Sequence, residues 1–332
     1  MPPIRTLTAL CLTAVLAAPA ARADSPIPAP AASAPAELAG VPFGTMDFDW
    51  RDESRSRSVP VRLYLPDAAA AGKPVPLVVF SHGIGGSRMG YSYLGRYWAS
   101  QGYASLHLQH VGSDRNLWAG NPFGLVGRLR DAAQDKEAVA RVLDLHFALD
   151  QLLAGPLGSR IDADRIVAAG HSYGANTTLL AAGAQVERAG QKLDFRDARI
   201  KAAIILSAPP FYGETDPAKV LAGITVPTLH VTATEDIIRI PGYYSGATDR
   251  VAVFDATGSA RKALAVFAGG SHSMFTDRSG TGGMALNPKV KEATRALSLA
   301  FLKDVFDGED AALRQWPAQF AGIVARYTRL GL

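Results

Sequence analysis

One pentapeptide constrains this chain more than any other feature: Gly170-His171-Ser172-Tyr173-Gly174, a G-x-S-x-G motif. Its flanks carry the constraint. Arg165-Ile166-Val167-Ala168-Ala169 ahead of it is a short apolar run of the kind that forms a buried parallel strand. Ala175 to Gln185 behind it is rich in Ala and Leu and reads as a helix. A strand, a tight turn and a helix lift the serine oxygen above a sheet edge. Glycines on both sides let strand and helix approach closely. Ser172 is therefore the candidate nucleophile.

A serine hydroxyl needs a base, and the base needs an orienting acid. The chain order to test is Ser, then Asp or Glu, then His. Of the seven histidines, His230 lies inside the apolar run Pro227 to Val231, and only His272 lies downstream of it. His272 follows the strand-like Ala263 to Phe267 in a Gly-rich loop, where a base can reach a serine. The acid is expected in the loop after Val226 to Thr232. Asp236 is preferred over Glu235 because it falls further into that loop. Asp249 and Asp255 sit in a polar, Gly-containing stretch and read as turn or surface residues.

An oxyanion hole needs two backbone N–H groups. One is expected from Tyr173, the residue after the nucleophile. The other is expected from Ser81-His82-Gly83-Ile84-Gly85-Gly86, the loop after the strand Pro76 to Phe80. Ile84 is assigned that role, with Gly83 as the alternative.

Other chemistries fail on the same residues. Gly83-Ile84-Gly85 could begin a dinucleotide fingerprint, but its third glycine would fall at Arg88, and no Walker lysine is present. With 34 basic and 30 acidic residues the net charge is only +4. The basic residues are dispersed, which is no footprint for nucleic acid. Cys11 is the single cysteine, so no disulfide can form within the chain. No cysteine metal site is expected, and His107 and His110 are read as pointing to opposite faces of a strand end.

The N-terminus reads as an export signal: Arg5, the apolar Leu7 to Leu16, and Ala21-Arg22-Ala23 as a small-x-small cleavage site. The apolar stretch is too short to span a bilayer, so no stable membrane insertion is expected. Cleavage after Ala23 would send the chain to the periplasm or the medium. It would leave 32 basic and 30 acidic residues, once Arg5 and Arg22 are subtracted from the 34. Residues 24–40, rich in Pro and Ala, read as a linker. Residues 41–332 read as one catalytic domain.

Strands are expected near 59–65, 76–80, 103–109, 165–170, 200–206, 226–232 and 261–267. Helices are expected near 92–101, 131–153, 174–187, 288–305 and 309–328. This alternation implies an α/β fold with a mostly parallel sheet covered on both faces. Every candidate catalytic residue follows the carboxyl end of a strand, where such sheets bind ligands. The segment Ala208 to Ile224 is too short for a large cap domain. The longer insertion His110 to Leu129 is glycine- and aromatic-containing, and suggests an apolar rim. Gly83, Trp118 and Phe123 are the expected substrate contacts, although Trp118 and Phe123 could equally pack the loop onto the core.

The chain resembles the α/β-hydrolase superfamily, and within it the dienelactone-hydrolase-like group that includes relatives of platelet-activating-factor acetylhydrolase. The resemblance rests on Phe80-Ser81-His82-Gly83, Gly170 to Gly174, Thr232 to Asp236 and Gly270-Ser271-His272. His110 to Asp114 with Trp118, and Arg141 to Asp144 ahead of Leu149 to Leu152, add to it. It covers nearly all of residues 42–305. It implies a hydrolase of small-molecule or polymeric esters that needs no metal or other cofactor. Ser172 stands where dienelactone hydrolases proper carry cysteine, which argues against that particular activity. Amides, lactones and polyesters stay open as substrates, as does a non-catalytic binding role on the same scaffold.

Overall fold

The computed structural model describes residues 40–70, 73–240, 242–278 and 283–332. The expected leader, 1–23, and all but the last residue of the expected linker lie outside them.

Apolar runs such as Leu77-Val78-Val79-Phe80 are buried completely, so neither face of their strand meets water. Such strands assemble side by side. The strands are β1 (Phe43–Asp52), β2 (Arg57–Pro66), β3 (Val75–Ser81), β4 (Ala104–Leu108), β5 (Ile161–His171), β6 (Ile200–Leu206), β7 (Thr228–Glu235), β8 (Lys262–Ser271) and β9 (Val324–Leu330). They form one nine-stranded sheet in the order β1-β2-β4-β3-β5-β6-β7-β8-β9. From β4 through β8 every neighbouring pair is parallel, and the outer pairs at both ends are antiparallel.

Alternation along each strand splits the core. Leu77 and Val79 face a layer that includes α2 (Asp135–Ala154) and α3 (Tyr173–Ala182), after α1 (Ser92–Ser100) in chain order. Val78 and Phe80 face the opposite layer, built from α1, α5 (Leu286–Asp307) and α6 (Ala311–Gln319). Trp98 and Trp316 anchor that second layer. Both are fully buried, and their indole N–H groups donate to Ser298 Oγ at 2.9 Å and to the Ala293 carbonyl at 2.8 Å. α4 (Ala247–Ala256) packs beside β7.

Two expected boundaries move. The helix expected over 309–328 stops at Gln319, two residues past Pro317, and Val324–Leu330 instead pairs antiparallel with β8. The helix expected over 174–187 ends at Gly183, whose φ of 117° breaks it before the strand Gln185–Arg188. The strand β1 and helix α4 were not among the expected elements. In β1, Met46, Phe48 and Trp50 alternate with Asp47, Asp49 and Arg51 and pack against the core.

Candidate functional site

β5 ends in the motif, and Ser172 sits at the turn into α3 with φ 55° and ψ −124°. A non-glycine residue held there costs about 1–3 kcal/mol of backbone strain. The two glycines explain why the turn is possible. A Cβ on Gly170 would lie 2.2 Å from the Gly174 carbonyl oxygen, and one on Gly174 would lie 1.9 Å from the Ser81 carbonyl oxygen.

Ser172 Oγ donates to His272 Nε2 at 2.7 Å, and His272 Nδ1 donates to Asp236 Oδ1 at 2.7 Å. The three residues come from the ends of β5, β8 and β7. Asp236 is fully buried. It also accepts from Thr232 Oγ1 at 2.7 Å and from Ser207 Oγ, and Arg250 Nη2 lies 3.4 Å from it. Burial alone would raise this carboxyl. The His272 hydrogen bond and charge, the Arg250 charge and the Ser207 hydroxyl outweigh it and hold Asp236 well below the usual carboxylate range. Ser207 and Arg250 carry no sequence signature. Ser207, at φ 59°, becomes visible only through its geometry. Glu235, the alternative acid, is exposed.

Tyr173 opens α3, so its amide is one of the first-turn N–H groups that have no acceptor inside the helix. In the loop after β3, Gly83 N–H donates to Tyr91 Oη at 3.3 Å and Gly85 N–H to the Ser113 carbonyl at 2.8 Å. The Ile84 amide has no such partner among the described residues, and Ile84 lines the cavity beside Ser172.

A buried ionic frame supports this loop. Arg141, with no exposed surface, donates to Thr177 Oγ1 at 3.0 Å, to Ser113 Oγ at 2.7 Å and to the His82 carbonyl, and its guanidinium lies 4.5 Å from the Tyr173 ring centre. Burial pushes Arg141 down to about 10, still above neutral pH. Arg57 bridges Glu137 at 2.9 Å and Asp144 at 2.8 Å. Within the frame lies a second serine–histidine–aspartate line. His110 contacts Ser81 Oγ at 3.1 Å and Asp144 at 3.0 Å. All three are fully buried and none lines the cavity beside Ser172, so a substrate held there does not reach them. Among the described residues no cluster of His, Cys, Asp and Glu has a metal-binding arrangement.

A cavity of about 390 Å³ opens beside Ser172. Its walls come from Leu129, Val139, Phe195, Phe211 and Tyr243, so two small hairpins, Gln185–Arg188 with Gln191–Asp194 and Ile238–Ile240 with Tyr243–Ser245, help to shape it. The expected substrate contacts are placed differently. Gly83 adjoins Ser172, where a Cβ would lie 3.2 Å from that of the serine, but it is not on the cavity wall. Trp118 is not on that wall either. Its indole N–H donates to the Gly85 carbonyl at 2.8 Å, which ties the insertion to the loop after β3. Phe123 is 94% exposed and away from the cavity. Val186, Leu193, Ile238 and Ile240 of this wall escaped sequence reading because hairpins of three or four residues leave no periodicity.

The strand order, the left-handed serine at the β5–α3 turn and the placement of His272 and Asp236 after β8 and β7 decide the architecture. This is the α/β-hydrolase fold. A sequence model of the family described as platelet-activating factor acetylhydrolase, isoform II, matches residues 54–116, the stretch from before β2 to just past β4. That stretch holds the Gly83–Gly86 loop of this hydrolase fold but not the serine motif. Among solved structures, a ferulic acid esterase from Streptomyces cinnamoneus is similar at 23% identity and a TM-score of 0.62. The likeness covers 85% of this chain and 94% of that one. No curated protein sequence matches the chain. No helix among the described residues is long and apolar enough to cross a membrane.

Proposed function

We propose that the protein is a serine ester hydrolase. The observation that carries this reading is the unbroken line Ser172–His272–Asp236, with both contacts at 2.7 Å, beside an apolar cavity. In the reaction His272 takes the Ser172 proton as Oγ attacks the ester carbonyl. The Tyr173 and Ile84 amides hold the oxyanion, worth about 3 kcal/mol for each donor. The protonated His272 then gives its proton to the departing alcohol. Water, activated by the same imidazole, releases the acid from Ser172. Asp236 fixes the tautomer and offsets the imidazolium charge.

The substrates proposed are short or medium acyl esters. Phe195, Phe211, Tyr212 and Tyr243 give the cavity an aromatic wall that suits a flat acyl group as well, so hydroxycinnamate esters form a second class. The act named for the similar Streptomyces protein favours including them. We also propose export with loss of residues 1–23, tested by N-terminal sequencing of the mature chain. The test of function is hydrolysis of p-nitrophenyl acetate, butyrate, octanoate and dodecanoate and of methyl ferulate, with Ser172→Ala alongside. Turnover lost in the variant is expected. Turnover equal in both proteins would refute the assignment.

A further inference from the structure

The motif residue ahead of the nucleophile, His171, takes no part in the proton transfers above, yet it is 2% exposed and fully engaged. Its Nδ1 lies 2.7 Å from Tyr91 Oη and its Nε2 lies 2.9 Å from the His272 carbonyl oxygen. Tyr91 Oη also receives the Gly83 N–H at 3.3 Å. With the imidazole neutral, only one arrangement of protons satisfies all these contacts. A carbonyl can only accept, so His171 Nε2 carries the proton. Nδ1 must then accept from the tyrosine O–H, whose oxygen accepts from Gly83. The chain runs from the loop after β3, through Tyr91 and His171, to the backbone of the base.

From this geometry we infer that Tyr91 and His171 are positioning residues that hold the oxyanion-hole loop and the His272 loop in register with each other. The inference rests on the roles proposed above for Ile84 and His272. Two independent features support it. Tyr91 stands at the N-terminus of α1 with φ 57°, a left-handed conformation that glycine or asparagine adopts more readily, and its side chain makes no cap hydrogen bond there. A strained tyrosine at this place serves its hydroxyl. Second, the His272 backbone needs holding. Gly269 and Gly270 precede it at φ 70° and 85°, so the chain entering the base is built from its most permissive residues. The acceptor role of Nδ1 also requires a neutral ring. Burial, with the nearby His272 adding to it, pushes His171 down to about 3.

Tyr91→Phe removes the hydroxyl and keeps the ring packed 4.7 Å from Phe80. It should lower kcat and kcat/KM together by about 10- to 100-fold, because misplacement of reacting groups acts in the transition state. KM should stay within about threefold. His171→Leu should lose as much, and His171→Gln, which keeps a donor and an acceptor, should recover part of it. Circular-dichroism melting checks that each variant is folded at the assay temperature. A folded Tyr91→Phe with the original kcat, or with an effect confined to KM, overturns the inference. The hydrogen-bond chain is also read without catalysis, by ¹⁵N NMR of the imidazoles in the unmodified protein. His171 should carry its proton on Nε2 at neutral pH, and the Nδ1 signal should move in Tyr91→Phe. A ring protonated on Nδ1 overturns the inference whatever the activity. If Ser172→Ala were to retain full turnover, the nucleophile assignment would fail separately, and the NMR result would still decide the chain of hydrogen bonds.

Discussion

At the scale of single residues, the site depends on groups whose environments leave them one role. Asp236 is buried and held ionised by His272, Arg250 and Ser207, so it orients the imidazole without taking its proton. Asp236→Asn keeps the shape and removes the charge and the acceptor pair. It should lower kcat by about 10⁴-fold, the effect of forcing the wrong tautomer on such a base. A loss below tenfold in steady-state assays would contradict this role. The motif glycines answer to sterics. Gly174→Ala drives a methyl group into the Ser81 carbonyl and should destabilise the fold by a few kcal/mol. Its melting temperature should fall clearly below that of the parent, and an unchanged value would show that the turn is looser than its geometry implies. Ser172, His272 and Asp236 were readable because strand, turn and chain order constrain them together. Ser207, Tyr91 and Arg250 were not, because each acts through a hydrogen bond or an ion pair across the sheet and leaves no local pattern.

At the scale of elements, short pieces shape much of the cavity beside Ser172. The long helices and central strands follow from hydrophobic runs that any sheet of this kind would bury. The cavity takes its shape from two hairpins, the segment Pro209 to Gly213 and the starts of α2 and α3. Ile240→Trp should fill part of it and lower kcat/KM for octanoate relative to acetate by about tenfold, the range a few methylenes command in an apolar pocket. Equal effects on both esters would place the acyl group elsewhere. Trp118 illustrates a reading that the fold redirects. As an expected substrate contact it would tune acyl length. Bound to the Gly85 carbonyl, and with a Cβ on Gly85 only 2.5 Å from its ring, it instead braces the loop after β3. Trp118→Ala should therefore reduce kcat for all acyl lengths alike. A selective rise in KM for long esters would restore the contact reading. The β9 strand was hidden for a physical reason too: in Val324 to Leu330 the larger apolar residues Val324, Tyr327 and Leu330 recur at every third position rather than every second, and the segment finds its place on the edge of β8.

At the scale of the whole molecule, buried histidines couple stability to pH. Burial lowers His82, His107, His110, His171 and His230, with His107 pushed down to about 4 and His230 to about 3. In the unfolded chain each imidazole takes up a proton below its ordinary value of 6.5, while the folded chain resists. The unfolded state thus binds more protons as pH falls, and stability is lost from about pH 6.5 downward. Near pH 5 each such histidine contributes a loss on the order of 1–2 kcal/mol. Asp144 opposes this, since burial raises its carboxyl, but it stands against several imidazoles. The melting temperature at pH 5 should lie several degrees below that at pH 7, and equal values would show these rings to be hydrated or protonated in the fold.

The claim on which the rest depends is that Ser172 is the nucleophile. The direct measurement is mass spectrometry of the intact protein and its peptides after treatment with a fluorophosphonate. The account predicts one adduct per chain, on the peptide carrying Ser172, absent from Ser172→Ala and slowed by Tyr91→Phe. No adduct on the folded protein, or an adduct on another serine such as Ser81, would contradict it.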